Sequence, residues 1–240
     1  MKKMLCLIAF LLSLQSFAQF NVFKKAVDNA KSILSPKKDS LSTNTIIDGL
    51  KEALDKGVTD GTKKLSNVDG FFTNAAIKIL MPPEAVKVEQ SLRKIGLDKQ
   101  VDEAILNMNR AAEDACKTAA PIFVNAIKNM NIADAWGILK GADHAATDYL
   151  QKQTTLELTK KITPVIDSAL QKINATKHWE TIFSTYNKFS LSKVNPNLTT
   201  YVTEKALTGI FYQLAIEEQK IRKDPAAQTT ELLKKVFGGK

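Results

Sequence analysis

Apolar residues recur every three or four positions along nearly the whole chain, and this spacing limits the fold more than any other feature. In an α-helix such residues share one face, which can be buried. Stretches of this kind run through residues 46–65, 101–119, 162–173 and 198–221. No segment shows convincing period-two alternation, the pattern of a half-buried strand. The sequence therefore predicts an all-α fold, a single-domain multi-helix bundle.

One stretch, residues 67–83, lacks the helical spacing. Asp69-Gly70 is typical of a turn, and Pro82-Pro83 prevents a preceding helix from continuing. We therefore expect a short irregular segment here, followed by a helix that opens at Pro83.

Several residues predict where helices begin and where they touch. Asn131, followed three residues later by an acid, predicts a capped helix start, and Thr154 with Glu157 has the spacing of a capping box. Gly57 and Gly61 lie inside a predicted helix, where each glycine costs about 1 kcal/mol relative to alanine. We therefore expect a neighbouring backbone to approach that helix closely.

The first residues of the chain have the layout of a secretory signal. Lys2 and Lys3 precede an apolar run over 4–14, and Ser16 and Ala18 supply small residues for cleavage. The run is shorter than the roughly 20 residues that a bilayer-spanning helix needs. We therefore expect a signal peptide over 1–18, cleavage before Gln19, and export to the periplasm or cell envelope as a soluble chain.

The rest of the chain divides into two predicted parts. Residues 19–43 combine a basic amphipathic helix, with Phe20 and Phe23 on its apolar face, and a polar linker. Residues 44–240 form the helical domain. Because basic amphipathic helices can lie in a membrane surface, the N-terminal helix is expected to pack either on the domain or on a membrane.

The charge comes mainly from lysine. The formal net charge is +9, and 31 of the 34 basic residues are Lys. Arg recognises phosphates and base edges in a bidentate way, whereas scattered Lys provides weak attraction for anions. The composition therefore disfavours nucleic-acid binding and favours weak contact with an anionic membrane surface.

Strong catalytic and metal-binding motifs are absent from the sequence. It contains no Gly-rich phosphate loop, nucleophile elbow, zinc-protease motif or paired CxxC. His144 and Asp148 could offer two ligands, which is fewer than a metal site needs. Export removes Cys6 and leaves Cys116 alone on an apolar helix face, where it is expected to be a buried, free thiol. We predict no catalytic residue, metal or cofactor.

A set of polar residues on the predicted helices forms a candidate cluster. Its members are Arg110, Glu113, Tyr149, Lys152, Glu217, Glu218 and Arg222. At about 100° per residue, Glu217 falls in the middle of an apolar stripe that includes Ile210 and Leu214. Glu218 lies four residues before Arg222, which is the favourable order for a helical ion pair.

A carboxylate within an apolar stripe needs a partner. Arg110 is our first choice for Glu217 and Lys152 the second. Glu113, one turn after Arg110, could instead hold Arg110 in a solvated pair of little energetic value. Glu217 would then either fasten its helix to a neighbour or line a pocket, and the first is favoured.

Several stretches carry a family pattern. They cover 49–54, 108–113, 126–130, 145–149, 205–211, 217–222 and 232–237, with Pro225 between the last two. In these stretches the chain resembles the bacterial domain-of-unknown-function family 4197, over about 46–238. The resemblance implies an exported helical domain and brings no assigned activity.

Three functions follow as hypotheses. The leading one is a non-catalytic envelope protein that binds an apolar or amphipathic ligand, or a protein partner, in a groove between helices. The second is an enzyme that uses Glu217, Arg110, Lys152 and Tyr149 at a helix junction. The third is a membrane-surface protein that uses residues 20–38. A large apolar pocket would favour the first, and a polar cleft with converging carboxylate and Arg the second.

Overall fold

The computed structural model describes residues 42–189, 193, 197–224 and 234, leaving aside the side chains at 178, 181, 182, 185, 186 and 189. The predicted signal peptide, amphipathic helix and linker before residue 42, and the predicted C-terminal helix from Pro225, lie outside the described residues. The division of the chain at 18 and 43 therefore stays a prediction.

The described part of the chain is built from helices and irregular segments, without a strand, so the all-α prediction is confirmed. The helices are α1 (Thr43–Ser66), α2 (Val86–Lys94), α3 (Asp98–Cys116), α4 (Ala120–Lys128), α5 (Ile132–Lys140), α6 (Ala145–Gln171), α7 (Ala175–Phe189) and α8 (Leu198–Lys223). A 3₁₀ turn at Pro83–Ala85 precedes α2. Residues 67–82 form turns and irregular backbone, as the lack of periodicity predicted.

The hydrophobic core lies around α6 and α8. Helix α8 packs mainly against α6 and α1, and α6 also packs against α3 and α4. In α6 the core face consists of Leu158, Ile162, Ile166 and Leu170, which follow at intervals of four and are fully buried. Ile162, Ile166 and Leu170 belong to the stretch 162–173 whose helical spacing predicted a buried face.

The two glycines of α1 mark a close contact with α8, but side chains, rather than the predicted neighbouring backbone, approach them. A Cβ atom added at Gly61 would lie 3.2 Å from Leu214 Cδ2, and one at Gly57 would lie 3.4 Å from Ile221 Cδ1. The side chains of α8 thus press directly on the backbone of α1. Glycine at both positions allows this close approach.

The two predicted helix starts had different outcomes. Asn131 caps α5 by accepting the N–H of Asp134 at 2.9 Å, and Asp134 returns the interaction in a full capping box. The capping box predicted at Thr154 and Glu157 is wrong, because α6 runs without interruption through this point for 27 residues. Thr154 is buried because it lies between Leu150 and Leu158 on the same face of the helix. Its hydroxyl donates to the Leu150 carbonyl at 2.6 Å.

Candidate functional site

An apolar pocket of about 510 Å³ lies between α2, α3, α7 and the start of α8. Its lining is mostly aliphatic and aromatic: Met81, Ala85, Val88, Glu89, Leu92, Leu97, Gln100, Val101, Glu103, Ala104, Asn107, Met108, Ile173, Ala175, Trp179, Phe183 and Leu198. Helix α2 has no fully buried residue. Val88 and Leu92 of this helix are partly buried, and they line the pocket as well as packing against the core.

Aromatic side chains form one wall of the pocket. Trp179 and Phe183 of α7 have ring centroids 4.3 Å apart, and Trp179 stacks on Tyr201 of α8 at 6.5 Å with an interplanar angle of 12°. Ile173, at the bend before α7, lines the pocket while it remains 43% exposed. Large rigid rings with an aliphatic neighbour at the opening suit a ligand that is mainly apolar.

Tyr201 ties the irregular segment to this wall. Its hydroxyl donates to the Leu80 carbonyl at 2.8 Å, next to the pocket residue Met81. Burial, followed by the negative charge of Glu84, raises the pKa of Tyr201 to about 12. The phenol is therefore held neutral, in the form that donates this hydrogen bond.

Helix α3 holds the irregular segment through the side chains of Asn109, Arg110 and Glu113, which we call the segment clamp. Asn109 is fully buried and pairs with both backbone groups of Ile79, accepting its N–H and donating to its carbonyl at 2.8 Å each. The side-chain amide thus gives the N–H and carbonyl of Ile79 the hydrogen bonds that a neighbouring strand would otherwise provide. Without it, both groups would be buried without partners.

Glu113 performs the same role at the start of the segment. One carboxylate oxygen accepts the N–H groups of Phe71 at 3.0 Å and Phe72 at 3.2 Å. The other accepts from Arg110 at 2.7 Å, and Arg110 also binds Asp69 at 2.8 Å. Glu113, followed by Asp69, raises the pKa of the Arg110 guanidinium.

A second set of residues, the helix clamp, joins α5, α6 and α8. Glu218 of α8 is buried and accepts the N–H groups of Ala146 and Thr147 at 2.9 Å each. Arg222 donates to Glu218 at 2.8 Å and to the Ile138 carbonyl at 2.9 Å. The carboxylate satisfies two unpaired N–H groups at the positive end of α6, so the predicted Glu218–Arg222 pair is confirmed and has a larger structural role.

The predicted pairing of Glu217 with Arg110 is wrong. Glu217 is buried, as its helical phase indicated, but its partners lie on its own helix: Gln213 at 2.6 Å and Lys220 at 3.1 Å. Arg110 is already engaged by Asp69 and Glu113. The second choice, Lys152, is exposed on α6 and forms no ion pair within the described part of the chain.

Tyr149 lies apart from both clamps. It lines a polar cavity of about 370 Å³ with Asn131, Asp134 and Glu157, where burial and then the charge of Asp134 raise its pKa. The candidate cluster is therefore distributed over separate places: Arg110 and Glu113 in the segment clamp, Glu218 and Arg222 in the helix clamp, and Glu217, Tyr149 and Lys152 elsewhere.

Histidine and cysteine form no metal site in the described residues. His144 Nδ1 lies 2.6 Å from Asp148 Oδ2 in an exposed pair, and no group of three potential ligands occurs among the residues with described positions. Cys116 is buried and free, as expected. None of the described helices is long and apolar enough to cross a membrane.

Comparison with known proteins assigns the chain to a family. A family model described as a protein of unknown function, DUF4197, matches residues 40–238. The chain belongs to the DUF4197 family. Searches of curated proteins and of solved structures found no match.

Within the described residues, several of the stretches that carried the family resemblance lie at contacts between elements of this DUF4197 chain. Residues 108–113 contain the whole segment clamp, and residues 145–149 meet residues 217–222 in the helix clamp. Residues 205–211 include Gly209, which lies against the ring of Phe71. In these described stretches the sequence pattern coincides with contacts between helices and with contacts between a helix and the irregular segment.

Sequence reasoning missed the apolar pocket and the role of Asn109. The one available signal for Asn109 was its spacing, four residues after Ile105 and four before Glu113, on a face that proved to be buried. The pocket had no comparable signal in this DUF4197 sequence, because Trp179, Leu92 and Ala104 come from three helices whose mutual position is a tertiary property.

Proposed function

We propose that this DUF4197 protein is exported to the cell envelope and binds an apolar or amphipathic ligand in the pocket between α2, α3 and α7. The apolar lining of this pocket is the observation that carries the proposal. Its volume of about 510 Å³ lies within the range of roughly 300–1,000 Å³ that is usual for small-molecule sites. Burying apolar ligand surface there would contribute about 25 cal/mol per Å² before the costs of association.

Binding is a better explanation than catalysis because the candidate polar residues do not converge. A reaction centre needs a base or nucleophile and a charge-stabilising group around one point. Arg110 is instead committed to ion pairs with Asp69 and Glu113, and Glu218 to backbone N–H groups and Arg222 in the other clamp. The membrane-surface alternative depends on residues 20–38, which lie outside the described part of the chain.

Ligand binding is tested with a neutral fluorescent probe, N-phenyl-1-naphthylamine, whose emission increases in apolar surroundings. The parent should bind it saturably, and Ala104→Phe should abolish binding by filling the pocket. Ala133→Phe is the matched control, because Ala133 is an exposed position of α5 that does not line the pocket. Equal binding by both variants would contradict the proposal, as would a parent protein that does not bind the probe.

Export is tested separately on protein isolated from its native host. The layout of residues 1–18 supports removal of a signal peptide. Intact-mass measurement should therefore show a chain that begins at Gln19. A mature species that retains Met1 would contradict export by this route and would leave ligand binding unaffected.

A further inference from the structure

We infer that the apolar pocket selects amphiphiles by the charge of their head group, and that its ligand is a single-chain amphiphile bearing an ammonium group. This inference rests on the proposed binding function. It concerns the polar residues at the pocket, whereas the proposed function concerns its apolar lining. The charges around the lining would favour a cation and oppose a carboxylate or sulfate of the same chain length.

The charged side chains among the described lining residues are both carboxylates. Glu89 comes from α2 and Glu103 from α3. No Lys or Arg contributes to the described lining, although the chain as a whole is strongly basic. The local charge therefore differs in sign from the net charge of the protein.

One guanidinium is shared by several carboxylates beside the pocket. Arg93 binds Glu89 at 3.0 Å and Asp102 at 2.8 Å, and its third carboxylate, Asp98, lies 3.7 Å away. The hydrogen bond to Asp102, followed by the one to Glu89, raises the pKa of the Arg93 guanidinium. Arg93 itself does not line the pocket, whereas its partner Glu89 does.

Glu103 adds a second carboxylate at the pocket itself. It is exposed and forms no ion pair in the part of the chain that the structure describes. The nearby lysines Lys87, Lys94 and Lys99 are all exposed and pair with none of these carboxylates there. An incoming ammonium group would find a free carboxylate in Glu103.

Two amides complete the polar part of the lining. Gln100 and Asn107 lie on the same helix as Glu103, and their side-chain carbonyls can accept hydrogen bonds from ammonium N–H groups. A carboxylate head group would instead meet Glu103 as a like charge. Specificity of this kind depends on repulsion of the wrong ligand as much as on attraction of the right one.

The test compares three amphiphiles with the same dodecyl chain: dodecylamine, dodecyl maltoside and dodecanoate, each below its micelle concentration. The affinity of each amphiphile is measured by its displacement of the bound naphthylamine probe from the full chain at low ionic strength. We expect the amine to bind about tenfold more tightly than dodecanoate, with the maltoside between them, and the difference to shrink in salt. Glu103→Gln should reduce this preference and Glu103→Lys should reverse it.

Glu157→Gln provides the matched control, since it removes one exposed carboxylate from α6 at a position that does not line the pocket. The preference should be unchanged in this variant. Equal affinity for all three amphiphiles, or tighter binding of dodecanoate, would overturn the head-group inference while leaving the apolar-ligand proposal in place. Failure of all three to displace the probe, together with probe binding by Ala104→Phe, would overturn the proposed function itself.

Discussion

Glu218, near the end of α8, accepts hydrogen bonds from both the backbone N–H and the hydroxyl of Thr147, at 2.9 and 2.8 Å. Thr147 lies 71 residues earlier, in the first turn of α6. The two most extensively packed helices of the fold are thus joined by one carboxylate, which also neutralises Arg222. This relationship determines which of two adjacent glutamates matters for stability.

Glu218→Gln should destabilise the protein far more than Glu217→Gln. Removing the charge of Glu218 leaves Arg222, whose side chain is 10% exposed, without its counter-charge, and breaking a buried pair from one side typically costs about 3–5 kcal/mol. Glu217 is also buried, but its partner Lys220 is 54% exposed and remains solvated, and a glutamine at 217 can still accept from Gln213. Its replacement should therefore cost about 0–1 kcal/mol. Urea melts of the two variants measure the difference, and equal losses would contradict this assignment. The order is the reverse of the one that helical phase alone indicated.

Gly209→Ala should destabilise the protein because the added methyl group has no room. Its Cβ would lie 3.0 Å from Phe71 Cζ and closer still to Cε1, and Phe71 is fully buried and cannot move away freely. Overpacking of this kind costs about 1–3 kcal/mol. Thermal and urea unfolding measure the change.

Gly137→Ala is the control for that variant. A Cβ at Gly137, inside α5, meets nothing within 4 Å. Replacing this helical glycine should therefore stabilise the protein by about 0.4–1 kcal/mol. Changes of the same sign in both variants would show that helix propensity, rather than the contact with Phe71, governs the effect.

Cys116 should react slowly with thiol reagents in the native protein and quickly in denaturant. It is fully buried, and burial followed by the charge of Glu113 raises the pKa of its thiol, whereas the thiolate is the reactive form. In a chain beginning at Gln19, Cys116 is the one remaining cysteine. The rate of labelling is followed by mass spectrometry. Rapid native labelling would show that the apolar face of α3 is exposed in solution.

Stability should decline at alkaline pH partly through Tyr201. Its pKa of about 12 in the fold lies above the value of about 10 for an unfolded tyrosine, so the native state favours the neutral phenol. The stabilisation is complete below about pH 10 and is lost as the pH rises through about 12. Tyr201→Phe should reduce this slope and remove a phenolate absorbance change near pH 12. A slope that is the same in Tyr201→Phe as in the parent would contradict the assignment.

Much of the local structure could be predicted because it depends on residues within one helical turn of each other. The α5 cap uses Asn131 and Asp134, and the Glu218–Arg222 pair spans four residues. Hydrophobic periodicity likewise identified the buried face that contains Ile162 and Ile166. For such contacts the helix geometry itself brings the side chains together.

Local signals failed where tertiary packing opposed them. Thr154 has a capping-box sequence, yet the buried residues Leu150 and Leu158 on either side of it keep one helical face continuous. Burial along that face outweighs a cap, which contributes about 1 kcal/mol. The helix therefore continues through Thr154.

Sequence by itself determined the helical class of this protein and which faces of its helices are buried, since both follow from spacing along the chain. Only the tertiary structure decided the partners across those faces. Arg110 binds Asp69 rather than Glu217 because the irregular segment passes over α3 at that point. Asn109 binds Ile79 because the same segment passes over α3. The apolar pocket lies between α2, α3 and α7 because of how these separate helices pack. Helical phase specifies the direction of a side chain, whereas the identity of its neighbour depends on how separate helices pack.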